Sequence, residues 1–317
     1  MRIADLLLGS ARWGLAIAGL TLALSGPSQA IPATPPPEFV RVSRDSSQKP
    51  VSFQTSISRY ATSSGNLTID LVAVVHFAEH QYYADVNHLL EGYDAVLYEM
   101  VGPDDPSDPR ALGRSIRRHQ ILKSHHPEAA PENPLSDIQS SLAHLLGLEF
   151  QLDDLNYACK NFVHADITPN ELFRSVSQRG ESLQQIMVRS FKSSLEEPDE
   201  NDEDIDELNL VGIFMQGPTQ HDRIAMRRIL SKSFKDLKKM NEVLEGPGGS
   251  TLLTVRNKRV SDVLARVLKS PAKKKHVAIL YGAAHMPGIE EALTQRFGLA
   301  LKSRKWLNAW DLRYPST

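Results

Sequence analysis

The sequence predicts an α/β (α+β) fold in which two β-α-β type halves form one central mixed sheet, with a helical insertion in the middle of the chain. Three observations predict it. Ile69 to His76 (IDLVAVVH) and His276 to His285 (HVAILYGAAH) each run an apolar β-type segment straight into a histidine, and each is followed by a helical pattern. The first leads through a helix into another apolar run, Asp94 to Met100 (DAVLYEM), which makes a β-α-β unit. A histidine that closes a buried strand stands where open α/β sheets carry their chemistry.

Taken in order, Met1 to Ala30 reads as a secretory signal. Arg2 and Arg12 precede the apolar run Trp13 to Leu24, and Ser28-Gln29-Ala30 is a small-x-small cleavage site. The run falls short of the roughly 20 residues that a membrane-spanning helix needs, so a secreted or periplasmic location is expected, with membrane contact only if the signal stays uncleaved. Residues 31–50, rich in proline and serine, read as a tether, with the domain occupying 51–317. Thr68 to Val75 is a strand, Glu79 to Glu91 a helix closed by Gly92, and Asp94 to Met100 the next strand.

The insertion spans about 103–250. It begins within Val101 to Pro109, a loop with three prolines in nine residues. Ser136 to Phe150 reads as a packed helix and Asn161 to Thr168 as a short extended piece, after which Pro169 opens a helix through Phe173. Glu196 to Glu207 is acidic and reads as a loop. Arg223 to Leu244 aligns Met226, Leu230, Phe234, Leu237, Met240 and Leu244 on one stripe of an amphipathic helix. Thr251 to Leu268 is the last helix before the second strand-histidine segment.

Composition narrows the function. Removing Met1 to Ala30 takes the formal charge from −2 to −3, which does not suggest a nucleic-acid partner. The single cysteine, Cys159, allows no internal disulfide framework and reads as a small buried apolar residue. The chain has neither a glycine-rich phosphate loop nor a G-x-S-x-G elbow.

Singly, His76 and His285 read as core histidines. As a matched pair converging on one sheet edge, two neutral imidazoles suit a divalent metal. Ala73 and Gly282, three residues before each histidine, allow close backbone approach, which suits two such segments packed side by side. Glu99 ends an apolar run, where an ionised carboxylate is costly unless paired or metal-bound, so it is the expected third member. His76 to His80 also matches H-x-x-E-H, but that chemistry needs both histidines on one helix, and His76 ends a β run. Asp166 reads as a cap or turn residue, while His119, His125 and His126 read as solvated.

Gly282-Ala-Ala-His-Met-Pro-Gly288, preceded by Arg256-Asn257, resembles the C-terminal signature of the TraB/PrgY/GumN family, to which TIKI metalloproteases are related. VAVVH followed by a helix and VLYEM is similar to that family's first histidine motif and strand-borne glutamate, although Ala73 stands where the family has glycine. The resemblance covers roughly Thr68 to Glu99 and Arg256 to Gly298. It implies a metal-dependent hydrolase, and specifically a peptidase. His76, His285 and Glu99 would bind Mn, Co or Zn; Glu99 and Arg256 would be catalytic; Asn257, Gly282 and Tyr98 would contact a peptide or small-molecule substrate. The wider superfamily also holds ChaN-like haem-binding proteins. The alternative is therefore non-catalytic capture of haem or peptide, with Tyr98, Tyr281 or a histidine as axial ligand.

Overall fold

The computed structural model describes residues 38–102, 142–178, 210–235 and 251–315, which belong to one compact unit, Pro37–Thr317. The expected signal, His119, His125, His126, the acidic run and Gly246 to Gly249 lie outside the described residues. The strands are β1 (Val40–Arg44), β2 (Pro50–Ala61), β3 (Thr68–Val74), β4 (Phe77–Ala78), β5 (Ala95–Tyr98), β6 (Glu149–Phe150), β7 (Phe162–His164), β8 (His276–Gly282) and β9 (Ala300–Asp311). The helices are α1 (His80–Glu91), α2 (Gln151–Asp154), α3 (Pro169–Gln178), α4 (Leu210–Gln216), α5 (Gln220–Lys235), α6 (Arg256–Lys269) and α7 (Met286–Gln295).

The central sheet is mixed, as expected. β2 carries β9 along one edge; along the other it pairs with β1 through its first half and β3 through its second, all antiparallel. From β3 onward the sheet is parallel, in the order β3-β8-β5-β7. β3 is buried almost throughout (TIDLVAV), as a parallel strand covered on both faces must be. β9, paired only with β2, is an edge strand whose exposed Lys302, Ser303 and Lys305 discourage further pairing.

The β3-α1-β5 unit is not a pair of neighbouring strands, because β8, some two hundred positions later, slots between them. β7 comes from the insertion, so that segment is not purely helical: it contributes a strand to the main sheet. The tether expectation also needs correcting. Residues 40–44 form β1, and Phe39 is 0% exposed, so the fold starts well before Val51.

Local signals explain most boundaries. Thr168 and Glu171 form a reciprocal capping box: the Glu171 N–H donates to Thr168 Oγ1 (3.1 Å), and the Thr168 N–H to Glu171 Oε2 (2.9 Å). With Pro169 in the first turn, this starts α3, which runs past Phe173 to Gln178. Thr219 and Asp222 do the same ahead of α5. Gly92 does cap α1, but at φ −80°, a conformation that does not require glycine. Of the helix expected over Ser136 to Phe150, residues 142–146 are helical and Glu149–Phe150 is strand β6, paired with β4.

Trp310, fully buried near the end of β9, anchors the core beside the antiparallel half. Its ring lies 4.5 Å from Phe53 and 5.8 Å from Phe234 of α5, while its indole N–H donates to Phe77 O at 2.7 Å. α5 is also tied down by Arg227, whose buried guanidinium bonds Glu79 Oε1 (2.7 Å) and the carbonyls of Leu146 and Gly147.

Candidate functional site

Each of the four parallel strands delivers a polar residue just past its C-terminal end. In sheet order these are His76 after β3, His285 after β8, Glu99 after β5 and Asp166 after β7. The register pairs Val74 with Gly282 and Tyr98 with Leu280, so the strands end nearly level and their following residues converge. This is the crevice position of an open α/β sheet. Arg256 enters from the first turn of α6, immediately after a π-helical turn, Thr251–Val255.

Arg256 bridges two carboxylates. Its Nε donates to Asp166 Oδ1 at 2.9 Å, and its Nη2 to Asp166 Oδ2 and to Glu99 Oε1, each at 2.6 Å. Asp166 is 2% exposed, so the sequence assignment of it as a cap was incomplete: it accepts the Ile167 N–H, but it also holds the arginine. The second oxygen of Glu99 accepts the Gly282 N–H at 2.5 Å. A side chain at 282 would put its Cβ 3.1 Å from that oxygen, which is why glycine stands there.

His285 is 4% exposed, at the end of a 3-10 turn (Ala283–His285) that separates β8 from α7. Its Nδ1 lies 2.8 Å from Asn257 Oδ1, an acceptor only, so Nδ1 carries the proton and donates. Nε2 then faces Glu99 Oε1 at 3.4 Å. His76, in contrast, is exposed to solvent. The protein atoms around it still desolvate the ring in part, which lowers its pKa; Glu99 opposes the shift, while Arg256 and His285 reinforce it. The His76 ring is therefore neutral at neutral pH. Glu99 is buried, which alone would raise its pKa, but Arg256 first, then His285 and His76, hold the carboxyl well below the usual range.

Two further residues support His76. Gln151, at the start of α2, donates its backbone N–H to His76 O (2.8 Å). Its side chain is held in turn, with Nε2 donating to Tyr157 Oη at 2.7 Å. Nothing in the sequence marks Gln151 or Tyr157, since their contacts depend on the β4-β6 pairing.

The expected substrate contacts fare differently. Tyr98 is 1% exposed among Tyr157, Phe162 and His164, with burial pushing its pKa up to about 12; it is a core residue and does not face a substrate. The Gly282 N–H is committed to Glu99, and Asn257 Oδ1 orients His285, so both shape the site from behind. Of the H-x-x-E-H residues, His76 precedes β4, and His80 opens α1 with its ring bonded to Asp154, so they do not share a helix face. His164 bonds Met100 O, away from the cluster.

Comparison with known proteins adds no name. No protein-family model and no curated protein matches the chain. The resemblance to the TraB/PrgY/GumN family rests on the residues quoted above.

The donor set also bears on a metal. Both Glu99 oxygens are committed, one to a guanidinium and one to a backbone N–H, and a dication bound there would sit against Arg256. Among the described residues, no three His, Cys, Asp or Glu side chains form a group able to hold a metal ion. The expected trio of His76, His285 and Glu99 does not fit a three-ligand centre in this arrangement.

Proposed function

We propose that the chain is an exported hydrolase, acting on peptide or related acyl bonds, that uses His76 as general base. The observation carrying this reading is the solvent-facing His76 imidazole, kept neutral, beside the largely buried Glu99-Arg256-Asp166-His285 network. His76 takes a proton from water through an imidazole nitrogen, and the resulting hydroxide attacks the acyl carbon. Arg256, held by Asp166 and Glu99 through Nε and Nη2, has Nη1 outside these bonds to stabilise the developing oxyanion. His76 then returns that proton to the leaving atom, while His285, oriented by Asn257, keeps its place beside Glu99. No step is assigned to a metal. Peptide as substrate, and export, rest on the family resemblance and the N-terminal signal pattern. Haem capture loses support because Tyr98 is buried in the core and the Tyr281 hydroxyl donates to Ala165 O at 2.6 Å.

The test is a fluorogenic peptide and ester screen run with chelator and, separately, with added Mn, Co or Zn. Activity should survive the chelator, fall by about 10²-fold or more in His76→Ala, and follow an acid limb with an apparent pKa below 6.5, because His76 must be neutral. Unchanged activity in His76→Ala would sink the base assignment. Activity that appears only with added metal would replace it with a metal centre.

A further inference from the structure

Away from the crevice, α6 and α7 enclose a second feature. Arg259, Asp262, Arg266 and Lys269 recur at i, i+3, i+7 and i+10, so they share one face of α6. Arg296, just past α7, faces them. With Ala265 between, these residues line a cavity of about 430 Å³.

The charges around this cavity do not cancel. Asp262 is its one acidic lining residue, and its carboxylate is taken by Lys258 Nζ at 2.8 Å and Arg296 Nη1 at 2.7 Å. Arg259 pairs with Glu171 at the start of α3. Arg266 and Lys269 have no carboxylate partner among the described residues. Five cations against two carboxylates leave an excess of three positive charges here, on a chain whose overall formal charge is −2. Surface lysines and arginines are ordinarily dispersed and solvated; here they are gathered around a concavity, where their fields add.

At about 1.5 Å per residue, the stripe from Arg259 to Lys269 is about 15 Å long. A single phosphate is too small to engage it end to end. Guanidinium forks match phosphate oxygens in pairs, and Lys269 supplies a point charge at the far end. Arg296, another lining residue, is held in place by Asp262 through Nη1. We propose that the groove between α6 and α7 is a binding site for an extended anion carrying two or more phosphate groups. The site is independent of the hydrolytic reading, since none of its lining residues belongs to the crevice.

Titration calorimetry of the full chain with tripolyphosphate, using orthophosphate for comparison, tests the site. Tripolyphosphate should bind at least about tenfold more tightly than orthophosphate, and its affinity should fall as salt is raised. Arg266→Glu with Lys269→Glu should weaken binding at least about tenfold. Ala265→Leu, which fills the groove without changing its charge, should weaken it about fivefold or more by steric exclusion. Lys273→Glu with Lys275→Glu, outside the groove, should change it less than about twofold. No tripolyphosphate binding, equal loss in the outside pair, or full affinity in Ala265→Leu would each overturn the site and leave only diffuse surface charge. Should the double charge reversal fail to fold, Ala265→Leu decides alone.

Discussion

Replacing Arg256 with methionine separates the roles of the buried network most directly. The side chain keeps an unbranched apolar stem, but three charge-assisted hydrogen bonds of 2.6–2.9 Å vanish, and two carboxylates, Glu99 and Asp166, are left without their shared cation. Removing one partner from a buried pair costs about 3–5 kcal/mol, and that range, not a sum of three bonds, is the expected loss at pH 7. The pH dependence should also change sign. With Arg256 present, Glu99 titrates well below 4.5, so its contribution is present above its unfolded pKa of about 4.3 and is lost as pH falls through the folded value. His76, lowered from 6.5, acts in the same sense: the unfolded chain binds more protons, and stability rises with pH through that region.

In Arg256→Met the chief cause lowering the Glu99 pKa is gone and burial remains, so the folded carboxyl climbs above its unfolded value, and His76 rises as well. The folded state now binds the extra proton. Stability should therefore recover on acidification from pH 8 to 5, by at most about 1.4 kcal/mol per pH unit for each proton taken up. Urea denaturation at pH 5, 6, 7 and 8, with an unchanged m-value, reads both effects. A loss below about 1 kcal/mol at pH 7, or a pH slope of the parent's sign, would refute the account of Arg256 as the charge that holds Glu99 ionised.

Other outcomes follow from single contacts. Gly282→Ala places a Cβ 3.1 Å from Glu99 Oε2 and 3.8 Å from His285 Cδ2. It should cost about 1–2 kcal/mol and lower hydrolysis about tenfold, measured by denaturation and rate; a fully active variant would show that the Gly282-Glu99 bond is dispensable. Phe39→Ala removes a fully buried ring and should cost about 3–5 kcal/mol, whereas a residue in a solvated tether would cost nearly nothing. His80→Ala breaks a contact to Asp154 from a ring whose side chain is 78% exposed. Its stability should change by no more than about 0.5 kcal/mol and its hydrolytic rate should be retained, and a dead variant would reopen the H-x-x-E-H reading.

His76, Glu99 and His285 were legible in the sequence because each ends an apolar run, and a strand whose neighbours cover both faces must itself be apolar along most of its length. The same regularity made the mixed sheet readable, and Pro169 and the amphipathic stripe containing Phe234 marked two insertion helices. What such runs do not encode is which strand lies beside which. Placing β8 between β3 and β5 is a long-range pairing, and it alone brings His285 between His76 and Glu99. Asp166 has the same strand-end signature in miniature, but β7 is only three residues long, too short for its periodicity to stand out from a turn. The partners of each group were likewise decided in three dimensions. Arg256 stood out only through the family resemblance, and only the tertiary fold shows it closing on two carboxylates and leaving Glu99 no free oxygen. Sequence alone determined which residues sit at strand ends, because local pattern controls backbone state. Tertiary structure decided which of them share charge, because electrostatic partnership depends on distances of a few ångströms between groups far apart in the chain.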